Sequence, residues 1–474
     1  MALLPVAGCA STSAQDSYQD VEKTIEQRTG HRIYWHRDAE ADGKVRAAVR
    51  KLLADGLSSP EAVQIALLNN GRLQAEYEEL SVAQADLVQA GLLSNPTFSG
   101  RLGFPLEGGG QPDIGAGVEV DFLSLLFLPG RKRMAGAQLE AAKSRVGAEV
   151  LELAAQVKIM HLRVQAAQQL TALLRVVAAA GQAAAELAAR QHDAGNIGDF
   201  ELAGQQAVYE DARLALARAE AEVLDVREEL NRLLGLWGAD TRWSASDRLP
   251  DLPPADPSLA KLESLAMTQR LDVEAARRGL SVAAMSSSFG ASARWAGSLE
   301  AGAEVEREDG EWEAGPSARV GLPIFDQGQA GVAKLEALQR QARHRLAFVA
   351  VNARADVRQA RNRLVTSRGL CEHYRQVVVP GRERLVRLAQ QHFDAMLIGA
   401  YQLLELKRDE IEAYREYVVA VRDYWIARAE LERAVGGRLP PPDHSAPARG
   451  PQRAPPPAGA APPPATPTAP EHRH

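Results

Sequence analysis

The chain of 474 residues has little cysteine, few aromatics and no concentrated charge of one sign. Its two cysteines, Cys9 and Cys371, cannot build a disulfide framework or a structural zinc site. Aromatics make up 5% of the chain, a low share for a globular enzyme core. The net charge is −6 and there is no basic block, so nothing points to nucleic acid as a partner. No run of about eighteen apolar residues is visible, and the sequence reading therefore expects no transmembrane helix. That leaves a membrane β-barrel open, because a barrel strand needs only about ten alternating residues. Catalytic signatures are missing as well. There is no Walker loop, Cys-x-x-Cys, His-Glu-x-x-His or Ser/His/Asp spacing, so no enzyme activity and no cofactor are expected. Gly108-Gly-Gly reads as a strand turn, since no helix with a lysine follows directly.

What is abundant is alanine, leucine, arginine, glutamate and glutamine, the composition of long helices. One segment recurs. Arg190 to Leu202 reads RQHDAGNIGDFEL, and about two hundred residues later Gln391 to Leu403 reads QHFDAMLIGAYQL. Asp193-Ala194 matches Asp394-Ala395, Ile197-Gly198 matches Ile398-Gly399, and Leu202 matches Leu403. Each copy interrupts one long helical pattern and is followed by another. The reading is an internal duplication of a helix-strand-strand-long helix-helix unit.

In chain order, Val6-Ala7-Gly8-Cys9 resembles the end of a bacterial lipoprotein signal, in which the cysteine is lipidated. The expectation is that residues 1–8 are a residual signal peptide and that the true start lies upstream. Residues 9–57 form a tether and arm, and Ala10 suits outer-membrane sorting. His31 and His36 flank aromatics without a third ligand nearby, so an arm packing Tyr34 and Trp35 on the body is expected rather than a metal site. The first repeat spans 58–254. Ser58-Ser-Pro-Glu61 caps a helix that resumes at Arg72-Leu73, runs to about Gly91 and stops at Asn95-Pro96. Strands follow at about 97–105 and 113–127, where Phe98, Leu102, Ile114, Val118 and Val120 alternate with Ser99, Arg101, Glu119 and Asp121. From about Met134 to Arg190 apolar residues recur at a coiled-coil interval. About sixty residues at 1.5 Å each make a rod of roughly 90 Å. The first tip lies at about 191–202.

The second repeat, 255–437, repeats the order, with strands at about 288–307 and 312–322 and a tip at about 391–405. A pause in its long helix is expected near Val379-Pro380-Gly381. Residues 438–474 are a proline- and alanine-rich tail, expected to be disordered. His161, His192 and His392 lie along helices and read as surface or seam residues rather than ligands. Four strands cannot close a barrel, but three chains would supply twelve, with Glu119, Asp121, Arg294, Glu300 and Glu304 facing the lumen.

These features together resemble the TolC-type outer-membrane efflux channel family, lipoprotein branch. The resemblance rests on Cys9, on Glu61-Ala62 with Ala66-Leu67, Asn70 and Leu73, on Ala85-Asp86 with Ala90-Gly91 and Asn95-Pro96, and on the duplicated tips. It covers about residues 58–437. It implies a mainly α chain with a transmembrane β-barrel part. The assembly would be a homotrimer whose 12-stranded barrel stands on a periplasmic α-helical coiled-coil tunnel. The implied function is the passive exit duct of a tripartite system, in contact with outer-membrane lipid, a periplasmic adaptor and an inner-membrane pump of resistance-nodulation-division type. Drugs or heavy-metal ions would be the cargo, and the histidines tilt slightly toward metal. A type I protein secretion channel is the alternative. A coiled-coil adaptor lipoprotein fits less well, because an adaptor has one helical hairpin flanked by lipoyl-like segments and this chain has two hairpins. By the same resemblance Gly195, Ile197, Gly198, Asp199, Phe200, Ile398, Gly399 and Tyr401 form adaptor-docking tips, and Gln402 and Glu405 line the aperture. The family's tip glycine matches Gly195, whereas Met396 stands in the second tip, implying a turn built differently. The contrasts Gly195 against Met396 and Glu201 against Gln402 suggest one turn for docking and the other for gating.

Overall fold

The computed structural model describes residues 12–441 apart from 55, 105–111, 247, 294–298, 309–310 and 323. Cys9, Arg294 and most of the proline-rich tail lie outside the described residues. The chain opens with α1 (Gln15–Thr29), α2 (Ala39–Ala54), α3 (Ser59–Asn69) and α4 (Gly71–Ala90). Then come β1 (Thr97–Gly103), β2 (Asp113–Asp121), α5 (Phe122–Asp193) and α6 (Asp199–Leu234). The same order recurs as α7 (Leu262–Gln269), α8 (Leu271–Ala293), β3 (Leu299–Glu308), β4 (Glu311–Val320), α9 (Gln329–His373), α10 (Val379–Asp394) and α11 (Ala400–Val435). A π turn, Tyr374–Val378, joins α9 to α10. It falls where the sequence reading placed a pause. Pro380 has no N–H and its ring crowds the carbonyl four residues back, which favours the wider turn.

Short-range chemistry sets the boundaries. Ser58 and Glu61 form a reciprocal capping box on α3, with Glu61 N donating to Ser58 Oγ at 3.4 Å and Ser58 N donating to Glu61 Oε2 at 2.8 Å. Asn70 ends α3 and caps α4, its Oδ1 accepting from Leu73 N at 3.1 Å. The Asn70 amide also donates to Leu233 O at 2.8 Å, tying this kink to the end of α6.

Two expected strands are shorter in the structure. The strand placed at 113–127 ends at Asp121, because the Asp121 carboxylate caps a helix by accepting from Ser124 N at 3.1 Å. Phe122 to Leu128 are therefore helical, and Pro129 sits inside α5. Of the strand placed at 288–307, residues 288–293 are helical, 294–298 lie outside the described residues, and Leu299–Glu308 is strand. Phe289, read as a strand residue, is in α8, where its ring meets Phe127 edge-on at 5.3 Å and lies against Gly130. Tertiary packing outweighs the local alternation there.

The core falls in two clusters, of which only the first includes the N-terminal arm. One cluster joins Tyr18, Ile25, Trp35, Ile65, Leu67, Tyr77, Val146, Val150, Val157, Leu230, Leu234 and Trp243. The other joins Leu162, Leu249, Leu262, Val357, Leu364, Cys371, Tyr424 and Leu431. Trp35 is buried as expected, with Nε1 donating to Glu78 Oε1 at 2.9 Å and Arg37 stacked at 4.3 Å. Tyr34 is only half-buried. His36 is spent on structure, with Nδ1 3.0 Å from Asp42 and Nε2 2.9 Å from Leu68 O. Among the described residues no cluster of three or more potential metal ligands exists.

The 72 residues of α5 extend roughly 110 Å at 1.5 Å each. The helix packs along α6, α4, α8 and α11. Against the sequence expectation, its alanine-rich composition includes a window of mean hydropathy 1.3, long and apolar enough for a membrane span. Its total length is more than three times a bilayer core of about 30 Å.

Candidate functional site: a one-faced sheet and two helical tips

The described strands form one antiparallel sheet in the order β1-β2-β3-β4. Its register sorts side chains by face. Phe98, Val118, Ala303 and Pro316 form one row, and Gly100, Ala116, Val305 and Ala314 form the next. Val120, Ala301 and Ala318 lie on the same face. The opposite face carries Thr97, Glu119, Gly302 and Ser317, then Asp121, Glu300 and Arg319. Charges there pair across strands, Arg319 with Glu119 at 2.8 Å and Glu300 at 3.0 Å, and Arg101 with Glu306 at 3.3 Å. Among the described residues nothing covers the apolar face, and Phe98 is 76% exposed. A bare apolar sheet of this kind is unstable in water and suits hydrocarbon. The expected alternation of Phe98, Leu102, Ile114, Val118 and Val120 against Ser99, Arg101, Glu119 and Asp121 is therefore present in three dimensions.

At the far end of α5 the chain reverses. Gly195 takes the left-handed conformation, φ 72°. Its N–H donates to His192 O and the Asn196 N–H donates to Gln191 O, each at 2.8 Å. Gly198 then caps α6. The second tip has the same pattern: Met396 at φ 56°, its N–H on Phe393 O at 2.9 Å, and Leu397 N–H on His392 O at 2.8 Å. Gly399 caps α11. The expectation of a differently built second turn is thus overturned. Met396 adopts the glycine's conformation because the two bonds closing the helix end require it there.

The tips differ in side chains instead. In the first, His192 Nε2 meets Asp199 Oδ1 at 2.8 Å, bridging the last turn of α5 and the first of α6. Phe200 is 88% exposed. The equivalent positions in the second tip are Phe393 and Ala400, and Met396 and Leu397 project into solvent. Ile197 and Ile398 are half-buried. Tyr401 Oη donates to Gln191 Oε1 at 2.6 Å, so the two tips of one chain stand side by side. Gln402 and Glu405 lie in the first turns of α11, both exposed.

Sequence reasoning missed the contacts behind the second tip. Arg382 pairs with Asp409 at 3.2 Å, Tyr414 donates to Glu383, and the buried Glu410 pairs with Lys407. The Lys407-x-x-Glu410 spacing was a usable signal, since residues three apart share a helix face.

This fold, mainly helical with a small sheet, is the fold of solved TolC-type outer-membrane channels. Among individual proteins, the chain is 23% identical over 404 residues to the cobalt-zinc-cadmium resistance protein CzcC of Cupriavidus metallidurans, covering 81% of this chain and 91% of that one. It superposes on the CmeC outer membrane channel of Campylobacter jejuni with a TM-score of 0.71 at 16% identity, covering 81% of this chain and 87% of that one. The outer membrane protein VceC of Vibrio cholerae gives 0.64 at 15% identity, covering 84% and 99%. No family model matches the chain.

Proposed function

We propose that this protein is the outer-membrane exit duct of a tripartite efflux system, acting as a homotrimer and not as an enzyme. The observation that carries the reading is the pairing of a one-faced sheet at the head of α5 with two hairpin tips at its foot. Four strands from each of three chains close a 12-stranded barrel and remove the edges at β1 and β4. Phe98, Val118, Val120 and Ala301 then face lipid, and Glu119, Asp121 and Glu300 line the lumen. The helices continue the barrel as a periplasmic tunnel. In this reading 58–254 and 255–437 are the two duplicated repeats, and Cys9 anchors the chain to the membrane.

The tips dock a periplasmic adaptor that leads to an inner-membrane pump. The Phe200 side presents an aromatic beside a polar His192–Asp199 staple, and the Met396–Leu397 side presents apolar knobs. Gln402 and Glu405 ring the aperture of the trimer, one carboxylate per chain. Chemical choice of cargo belongs to the pump. The likeness to a cobalt-zinc-cadmium resistance protein favours divalent heavy-metal ions and a resistance-nodulation-division partner.

Light scattering of the detergent-solubilised outer-membrane protein tests the assembly. The expected mass is three chains of 51.1 kDa plus detergent. A monodisperse monomer in the aqueous fraction contradicts it. Single cysteines at Phe200 and Met396, each photo-crosslinked to the adaptor, test the tips. Equal yields refute a division of labour between them.

A further inference from the structure

A cavity of about 390 Å³ lies where the ends of α1 and α11 meet the middle of α5, far from the sheet and the tips. Its wall holds Arg28, Lys158, Arg428, Arg433 and Arg438, with His31 beside them and, among the described residues, Glu432 as the one carboxylate. Several of these charges are already engaged. Lys158 meets Glu432 at 2.9 Å, Arg428 reaches the same carboxylate at 3.9 Å, and Arg433 pairs with Glu152 at 3.2 Å. Arg28 donates to the carbonyls of Gln269 and Gly436, which closes the helix ends facing the cavity. Arg438 is left over. It has no carboxylate partner among the described residues and lies across Gly30, where a Cβ would strike its guanidinium. Val63, Leu151 and Leu439 supply an apolar floor.

We propose that this cavity is a binding site for a small phosphate monoester, its oxyanion held by Arg438 and by Lys158, which it shares with Glu432, and its neutral part resting on the apolar floor. The excess of cations has a cost that an anion removes. His31 is held below the ordinary histidine range by burial, by Lys158 and by Arg438. A bound dianion reverses the electrostatic part of that shift, so His31 takes up a proton more readily in the complex. The volume suits a ligand of phosphosugar size rather than a bare ion. Arg438 is exposed enough to admit one.

Titration calorimetry on the full-length protein in phosphate-free buffer tests the site, with inorganic phosphate and glucose 1-phosphate as probes. The expectation is saturable binding of at least one probe. Arg438→Gln and Lys158→Gln should each weaken it at least tenfold while leaving the thermal midpoint within a few degrees. Absence of heat with both probes overturns the proposal, as does unchanged affinity in both variants. The tail offers its own carboxylate, Asp443, close behind the cavity in sequence. Binding that emerges only in Asp443→Asn would mean that the chain fills its own site, and would refute an external ligand. None of these outcomes depends on the channel reading.

Discussion

Replacing Gly235 by alanine separates two physical costs that most glycine substitutions confound. Gly235 follows α6 in the left-handed conformation, φ 67°. An added Cβ would lie 2.5 Å from the carbonyl oxygen of Asn69. That oxygen cannot simply retreat. The Asn69 amide is fastened to Leu234 O at 3.0 Å and to Gly235 O at 2.8 Å. The left-handed conformation costs an L-residue about 1–2 kcal/mol. Overpacking against fixed backbone adds about 1–3 kcal/mol. Gly195 is the control, with nearly the same φ of 72° but nothing within 4 Å of an added methyl. Gly195→Ala should therefore cost only the first part, about 1–2 kcal/mol. The assay is loss of helical circular dichroism on heating, at matched protein and detergent concentrations. Gly235→Ala should melt clearly below Gly195→Ala. Equal midpoints would refute the claim that the α3–α6 contact has no room, and with it the tight seating of the helix ends.

Other outcomes follow from the same structure. Met396→Gly should stabilise the second tip by about 1 kcal/mol, read as slower amide exchange at Leu397, because glycine adopts its positive φ without strain. Ala301→Arg, on the apolar face, should sharply reduce recovery from the outer membrane, at a cost of about 2–4 kcal/mol if the residue lies near mid-bilayer. Ser317→Arg on the opposite face should be tolerated. His161 is buried, with Nε2 2.8 Å from Leu57 O and Nδ1 without a partner among the described residues, and burial lowers its pKa. A base with a depressed folded pKa contributes stability above its unfolded pKa, about 6.5, that is lost as pH falls toward the folded value. His161→Gln should flatten that acid-side loss in a thermal-melt series. In a Cys9→Ser background, Cys371 should resist alkylation at pH 8 until the protein unfolds, because burial pushes its thiol up to about 12.

Much of this fold can be read from sequence because its strongest signals are long. The apolar spacing from Leu139 to Val164 marks α5, and the alternation at Phe98 and Leu102 marks a strand, with no tertiary information. Boundaries were lost where distant packing decides them. Nothing local says that Phe289 will lie on Gly130, or that Asp121 will cap a helix instead of extending a strand. At the tips, the recurrence of Asp-Ala and Ile-Gly located both turns. It also suggested a difference in backbone at Met396 that does not exist, because side-chain identity at one position is a weak guide to φ when two hydrogen bonds dictate it. The His192–Asp199 and Tyr401–Gln191 contacts were invisible for a different reason: they depend on how two helix ends are set against each other.

The central claim is that this chain forms an outer-membrane pore, and single-channel recording tests it most directly. Purified protein reconstituted in planar bilayers should insert as a heat-modifiable trimer and conduct ions, with ion selectivity altered when Glu405 is replaced by glutamine. A protein that neither inserts nor conducts, while remaining folded by circular dichroism, would contradict the account.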